Sequence, residues 1–137
     1  MPQRRSKIIA QSIALVLVQR LVRRLCPRCT VLAPVPQLMR ESLVARGLYP
    51  SGASTPLPRA AGCEACDDTG FLGRVAVVES LQLTDPLRSM LMANRPLDEL
   101  MTFAEERDAL VQFPRYASFL MEQQLIGPAE SLLAVAT

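Results

Sequence analysis

The chain contains no histidine and no tryptophan, and aromatic residues make up only 4% of it. Without an imidazole, Ser-His-Asp and Cys-His catalysis, mixed Cys/His zinc sites and histidine-based pH switching are all closed to it. With so few rings, a core must come from Leu, Val, Ala, Ile and Met. Lysine is equally scarce: Lys7 is the only one, it sits between Arg5-Ser6 and Ile8, and no glycine precedes it. A P-loop needs G-x-x-x-x-G-K-[ST], so that backbone amides cradle phosphates while the lysine reaches them and the hydroxyl holds Mg²⁺; no such segment exists. A long apolar run is missing too. The stretch Ile8 to Val18 is broken by Gln11 and Ser12 and spans about eleven residues, where a transmembrane helix needs about twenty. Arg4, Arg5 and Lys7 imitate the start of a signal peptide, but Gln19, Arg20, Arg23 and Arg24 stand where a small-residue cleavage site belongs. A cytoplasmic chain is expected.

What remains is ordinary in bulk and asymmetric in detail. The 137 residues give room for one domain or two very small lobes, with 50% apolar and 20% charged residues. The formal charge of +2 hides a split: residues 1–59 carry ten basic side chains against the single Glu41, and residues 60–137 carry five against twelve acidic ones. Such halves face different partners, face each other, or form two solvated surfaces of one domain.

Along the chain, periodicity predicts a short helix at about 6–14 and a strand at about 16–24 that ends at the first cysteine pair. Thr30 to Pro36 reads as loop, Gln37 to Arg46 as a helix that Gly47 terminates, and Tyr49 to Pro58 as an exposed linker tolerant of insertion. After the second cysteine pair come the turn Asp67-Asp68-Thr69-Gly70 and a strand from Arg74 to Leu83. Thr84 or Asp85 then caps a helix with Pro86 in its first turn. Helices are expected near 86–93, 97–107, 114–125 and 128–134. Asp67-Asp68 reads as a turn cap, Glu105, Glu106 and Asp108 as solvated carboxylates at a helix end, and Met90, Met92 and Met101 as core filling.

All four cysteines fall in two C-x-x-C pairs, Cys26-Pro27-Arg28-Cys29 and Cys63-Glu64-Ala65-Cys66, with 33 residues between them. A two-residue spacer lets both sulfurs of a tight turn point at one centre, and two such turns complete a tetrahedral thiolate shell for zinc. Pro27 presets the first turn, while Gly62 and Gly70 free the backbone around the second. With four protein ligands no position is left for a catalytic water, so the metal is expected to staple the fold rather than catalyse. Two disulfides, a thioredoxin-like dithiol and four unligated buried thiols are the competing readings. Structural zinc contributes an apparent ~10 to 16 kcal/mol in small modules. Four thiolates around one Zn²⁺ leave two negative charges, with Arg28 and Arg74 as the nearest candidates to offset them.

The run from Val18-Gln19-Arg20-Leu21-Val22-Arg23-Arg24-Leu25 into Cys26-Pro27-Arg28-Cys29, then Gly62-Cys63-Glu64-Ala65-Cys66 and Thr69-Gly70-Phe71-Leu72-Gly73-Arg74 to Glu79, resembles the C-terminal region of the type II secretion and type IV pilus assembly ATPases. The resemblance covers nearly the whole chain. It implies that a V-x-Q-R-L-V-R-x-L-C-type strand leaves a RecA-like motor core, that Cys26, Cys29, Cys63 and Cys66 are the zinc ligands, and that Gly73, Arg74 and Glu79 belong to the strand after the metal. Gln19 and Arg20 would sit at the edge of the motor core, and Pro128 to Val135 would form the final helix. Ala76 stands where the family commonly has Gly, Leu17 and Val18 replace smaller residues, and Gln124-Leu125-Ile126-Gly127 replaces a G-I-T-T-like entry.

The fold expected is therefore α+β: a small zinc-stapled tetracysteine module with short strands and a C-terminal helical subdomain, a remnant of the C-terminal region of a RecA-like P-loop NTPase. Residues 1–25 would be motor-core helix and strand, 26–73 the zinc module with its Pro/Ser-rich loop, and 74–137 a strand plus the helical subdomain. The chain would be a short or truncated homologue, a fragment or a separately encoded module. ATP and Mg²⁺ would bind only in the intact family, so no hydrolysis is expected from this polypeptide alone, and an oligomer only where a motor core is supplied. The resemblance implies secretion or pilus ATPase subunits and inner-membrane platform proteins as partners, at the cytoplasmic face of the inner membrane. Two other function classes compete. A zinc ribbon binding nucleic acid would use Arg4, Arg5, Lys7, Arg20, Arg23, Arg24 and Arg28, but it lacks stacking aromatics and the acidic half opposes it. A dithiol redox protein would show a thiol of lowered pKa.

Overall fold

A computed structural model describes residues 2–136, with α1 (Pro2–Ser12), β1 (Leu15–Leu25), β2 (Val31–Ala33), α2 (Gln37–Ala45), β3 (Leu57–Arg59), a 3-10 turn (Glu64–Cys66), β4 (Phe71–Gln82), α3 (Asp85–Met92), α4 (Leu97–Glu106), β5 (Leu110–Val111), α5 (Phe113–Glu122) and α6 (Pro128–Val135). The fold is α+β. One sheet has the strand order β1-β4-β5 and the other pairs β2 with β3. The β4/β5 pair is antiparallel with Ser80 opposite Val111, and β2/β3 is antiparallel with Leu32 opposite Pro58.

The chain forms two compact units. One comprises the residues through Val18 together with Glu79–Gln112, and the other Gln19–Val78 together with the segment from Phe113 onward. Long strands β1 and β4 each run from one unit into the other. Of the helices after β4, α3 and α4 belong to the first unit and α5 and α6 to the second. The first unit has a small core of Leu87, Ala104, Ala109 and Leu110, against which Met90, Met101 and Phe103 pack. Met92, expected in a core, is instead 40% exposed. The second unit holds the larger core, centred on Leu43, Val77, Ala117 and Ile126, all fully buried.

Four helices end in the same way. After α2, α3, α4 and α5 the chain turns through a residue with positive φ, respectively Gly47, Asn94, Asp108 and Gln124. The next amide then reaches back five residues: Leu48 to Leu43, Arg95 to Met90, Ala109 to Ala104 and Leu125 to Leu120. This 6→1 closure satisfies carbonyls that a helix end leaves open. It also starts each following segment in a defined direction.

The predicted helix at 6–14 begins four residues earlier and stops at Ser12. The stretch Tyr49 to Pro58 departs further from expectation. Tyr49 is buried, its hydroxyl donates to the Thr55 carbonyl at 2.7 Å, and the stretch runs into β3 with Pro58 buried. Residues 50–52 and 54–56 are exposed, as expected of a linker, while the buried Tyr49 ring and Pro58 anchor its two ends. In β1, by contrast, Leu15, Val16, Leu17 and Val18 are 54%, 42%, 51% and 48% exposed, so neither face of that half-strand is covered. Among the described residues no helix is long and apolar enough to cross a membrane.

Candidate metal centre

The four cysteines lie in the second unit and are carried by two turns of similar build. The first follows β1 directly. Leu25 is buried at the end of the strand, the Cys26 amide donates to the Gly70 carbonyl at 2.9 Å, and the chain closes with Cys29 and Thr30 amides donating to the Cys26 carbonyl. The Thr30 hydroxyl donates to that same carbonyl at 2.6 Å. The second turn starts from an extended Cys63 and winds through Glu64–Cys66 as one 3-10 turn. Here the Thr69 hydroxyl, three residues beyond the second cysteine, donates to the Cys66 carbonyl at 2.7 Å, so a threonine hydroxyl holds a cysteine carbonyl in each turn. Asp67 and Asp68, at φ 52° and 59°, reverse the chain in the left-handed region that Asp tolerates, as expected for a turn cap.

Two glycines make the second turn possible. A Cβ on Gly62, at φ +103°, would lie 2.8 Å from the Asp68 carbonyl oxygen. A Cβ on Gly70, at φ +78°, would lie 2.4 Å from the Ala60 Cβ. Their absence lets the Gly70 amide approach the Cys66 sulfur, to which it donates at 3.2 Å, while the Cys63 amide donates to the same sulfur at 3.3 Å.

The two pairs meet. All four Sγ atoms lie within 4.8 Å of one another, with Cys26 to Cys63 at 3.9 Å, Cys29 to Cys66 at 3.8 Å and Cys63 to Cys66 at 3.8 Å. Thiolates about 2.3 Å from a tetrahedral zinc stand about 3.8 Å apart, the edge of that tetrahedron. A disulfide would bring two sulfurs to about 2.05 Å, and all four thiols are free. The donor set therefore fits a four-coordinate thiolate metal. Cys26 and Cys66 are buried, while Cys29 and Cys63 are half-buried.

The sulfurs are electrostatically unequal. Burial pushes the Cys29 thiol up to about 11, helped by the neighbouring Cys63, Cys66 and Cys26 sulfurs and opposed by the Gly62 amide. Burial also pushes Cys66 up, but the Cys63 and Gly70 amides and the adjacent Cys63 and Cys29 thiols outweigh it and bring Cys66 down to about 6. Amides aimed at sulfur stabilise a thiolate, the form that ligates metals.

Arg28 and Arg74 are exposed. Two basic residues of β1 make their contacts with the last helix. Arg20 donates to the carbonyl oxygens of Ala134, at 2.6 Å, and Ala136, where α6 ends, and its guanidinium lies 4.7 Å from the Phe113 ring centre. A cation there meets the negative end of the helix dipole. Arg23 pairs with Glu130, a buried carboxylate on α6. From the sequence alone Arg20 reads as the edge of a motor core, Arg20 and Arg23 together as part of a basic stripe, and Glu130 carries no role. The available signal is that Glu130 is the only charged residue in the segment Pro128 to Val135.

The family model described as "Type II/IV secretion system protein" matches residues 3–123. Among curated proteins, the chain is 33% identical over 94 residues to the type IV pilus assembly ATPase PilB of Myxococcus xanthus, covering 68% of this chain and 16% of that protein. It is 34% identical over 89 residues to the putative type II secretion system protein E of Escherichia coli K12, covering 65% and 17%. The figure for the type IV pilus assembly ATPase PilB of Thermus thermophilus is 36% over 93 residues, covering 67% and 10%. The chain thus spans between 10% and 17% of the length of these relatives.

Proposed function

Because the chain belongs to the type II/IV secretion system protein family, we propose that it is the zinc-stapled C-terminal module of a type II secretion or type IV pilus assembly ATPase, serving assembly and force transmission in protein secretion without hydrolysing ATP itself. The observation that carries this reading is the set of four sulfurs at tetrahedral spacing, at the end of a strand whose sequence matches that family. Zinc, held by Cys26, Cys29, Cys63 and Cys66, would supply a redox-silent cross-link between two turns that are far apart in sequence. The chain's own groups prepare that role: Gly62 and Gly70 permit the second turn, and two amides stabilise the Cys66 thiolate.

In this reading residues 1–25 are the helix and strand of a RecA-like motor core, 26–73 the metal module and 74–137 the strand and helices that complete it. Exposure of Leu15 to Val18 on both faces supports the first assignment, since a strand that reads as a continuous apolar run is normally covered on both sides. Motor subunits and inner-membrane platform proteins are the proposed partners, at the cytoplasmic face of the inner membrane. The absence of a G-x-x-x-x-G-K-[ST] segment supports the lack of nucleotide turnover. A nucleic-acid surface is the weaker reading, because Arg20 and Arg23 are committed to α6.

The test combines three measurements on the purified chain: metal content, MgATP hydrolysis, and co-purification with the motor and platform proteins of its own organism. One zinc, no turnover above buffer and capture of a motor subunit or platform protein are expected. Turnover by the chain alone, or no association with either partner, would overturn the assignment.

A further inference from the structure

The strand that delivers the first cysteine pair also grips the last helix. Arg23 lies three residues before Cys26, and three of its nitrogens donate to Glu130 although its own side chain is 59% exposed. Its amide donates to Oε2 at 2.9 Å, and its Nε and one terminal nitrogen donate to Oε1 at 3.0 and 2.7 Å. The Glu130 side chain is 6% exposed. A carboxylate at that depth is tolerated only with its oxygens hydrogen-bonded, so the place of α6 depends on where Arg23 stands. Closer to the metal turn, the Leu25 amide donates to the Leu125 carbonyl at 2.9 Å and fixes the approach to α6.

A second path leads to the other cysteine pair. The Arg23 guanidinium lies 4.0 Å from the centre of the Phe71 ring, an attraction between cation and π-face. Phe71 follows Gly70, whose amide donates to the Cys66 sulfur and whose carbonyl accepts from the Cys26 amide. The Arg23–Glu130 pair is therefore tied to both backbone segments that bring sulfur to the centre.

We propose that Arg23 and Glu130 are positioning residues for the metal centre, linking metal binding to the seating of α6 although neither touches the metal. The proposal rests on the reading of the four cysteines as a zinc site and deepens it. Linkage of this kind is reciprocal: whatever loosens α6 weakens metal binding, and whatever removes the metal loosens α6.

Two measurements on the full chain test it. Metal affinity is read by titrating cobalt(II), whose thiolate charge-transfer band reports the four-sulfur shell, and by chelator competition for zinc. Glu130→Gln, which keeps shape and loses charge, is expected to weaken binding about tenfold, the lower end for groups that orient metal ligands. Arg23→Lys should fall between this and the native chain, and the exchanged pair Arg23→Glu with Glu130→Arg should recover part of the loss. Glu122→Gln, exposed on α5, should change nothing. The second measurement needs no variant: hydrogen exchange of the native chain with and without metal should show amides of α6 losing protection while those of α4 keep it. Equal affinity in Glu130→Gln, or a uniform loss of protection in α6 and α4, would overturn the link and leave the metal site standing. If the native chain takes up no metal, the reading of the cysteines falls, and this proposal with it.

Discussion

Replacing Gly70 with alanine concentrates two separable costs at one atom. At φ +78° an alanine pays about 1 to 2 kcal/mol for the left-handed conformation. Its Cβ would also lie 2.4 Å from the Ala60 Cβ, 3.1 Å from the Ala60 Cα and 3.3 Å from its carbonyl carbon. Two of those three atoms are backbone, so no rotamer change relieves the overlap, and forcing a methyl into packed structure costs about 1 to 3 kcal/mol. The sum is about 2 to 5 kcal/mol, a large share of the ~5 to 15 that holds a domain together. Gly73 provides the control: its φ is +73°, but nothing lies within 4 Å of where a Cβ would stand, so Gly73→Ala carries the conformational cost alone. Urea unfolding of both variants in saturating zinc, beside chelator competition, separates the two effects. Gly70→Ala should be the more destabilised and should also bind zinc more weakly, because the amide that donates to Cys66 moves with the backbone. Equal midpoints and equal zinc affinities for the two variants would refute the argument that close approach to Ala60 sets the second cysteine turn.

Cys63→Ser should abolish tight zinc binding and cost much of the ~10 to 16 kcal/mol that such a centre contributes, read as loss of bound metal on gel filtration and loss of a cooperative melt. In the metal-free, reduced chain, the Cys66 thiol brought from 9.0 down to about 6 favours the folded form fully above pH 9 and loses that contribution as pH falls through 6. Cys29, raised from 9.0 to about 11, favours the folded form below pH 9 and loses its contribution as pH rises through 11. Unfolding midpoints should therefore rise from pH 6 toward 9 and fall from 9 toward 11, and a flat profile would contradict the thiol electrostatics. Leu17→Ser and Val18→Thr, at positions 51% and 48% exposed, should shift the urea-unfolding stability by less than about 0.5 kcal/mol. A large destabilisation would mean that this half of β1 is covered.

What could be read in advance follows the range of the interactions involved. The long helices and strands were legible because their patterning is local, and so was the cysteine constellation, whose spacing alone brings two sulfurs into one turn. Gly47 announced the end of α2, but Asn94, Asp108 and Gln124 make the same left-handed closure without a glycine to mark it. The strands β2, β3 and β5 are two or three residues long and exist only through their partners, as with Val31 opposite Arg59. No local pattern records such pairing. Tyr49 drew a linker inward for the same reason: its ring finds the core of the second unit only once that core has formed.

The charge split shows the limit most clearly. Arg23 comes from the basic half and Glu130 from the acidic one, 107 residues away, and their pair means that the halves in part face each other. From the sequence, a run of arginines beside cysteines reads equally well as a phosphate-binding surface. The distances to Glu130, Ala134 and Phe71 decide how two of those arginines are used.

Four sulfurs around one structural zinc leave a signature that elemental analysis of the purified chain, combined with thiol alkylation under native conditions, reads without any variant. One zinc per chain is expected, with four thiols that react only after a chelator or denaturant is added. A folded chain that carries no metal and alkylates freely, or one in which the cysteines are recovered as disulfides, would contradict it.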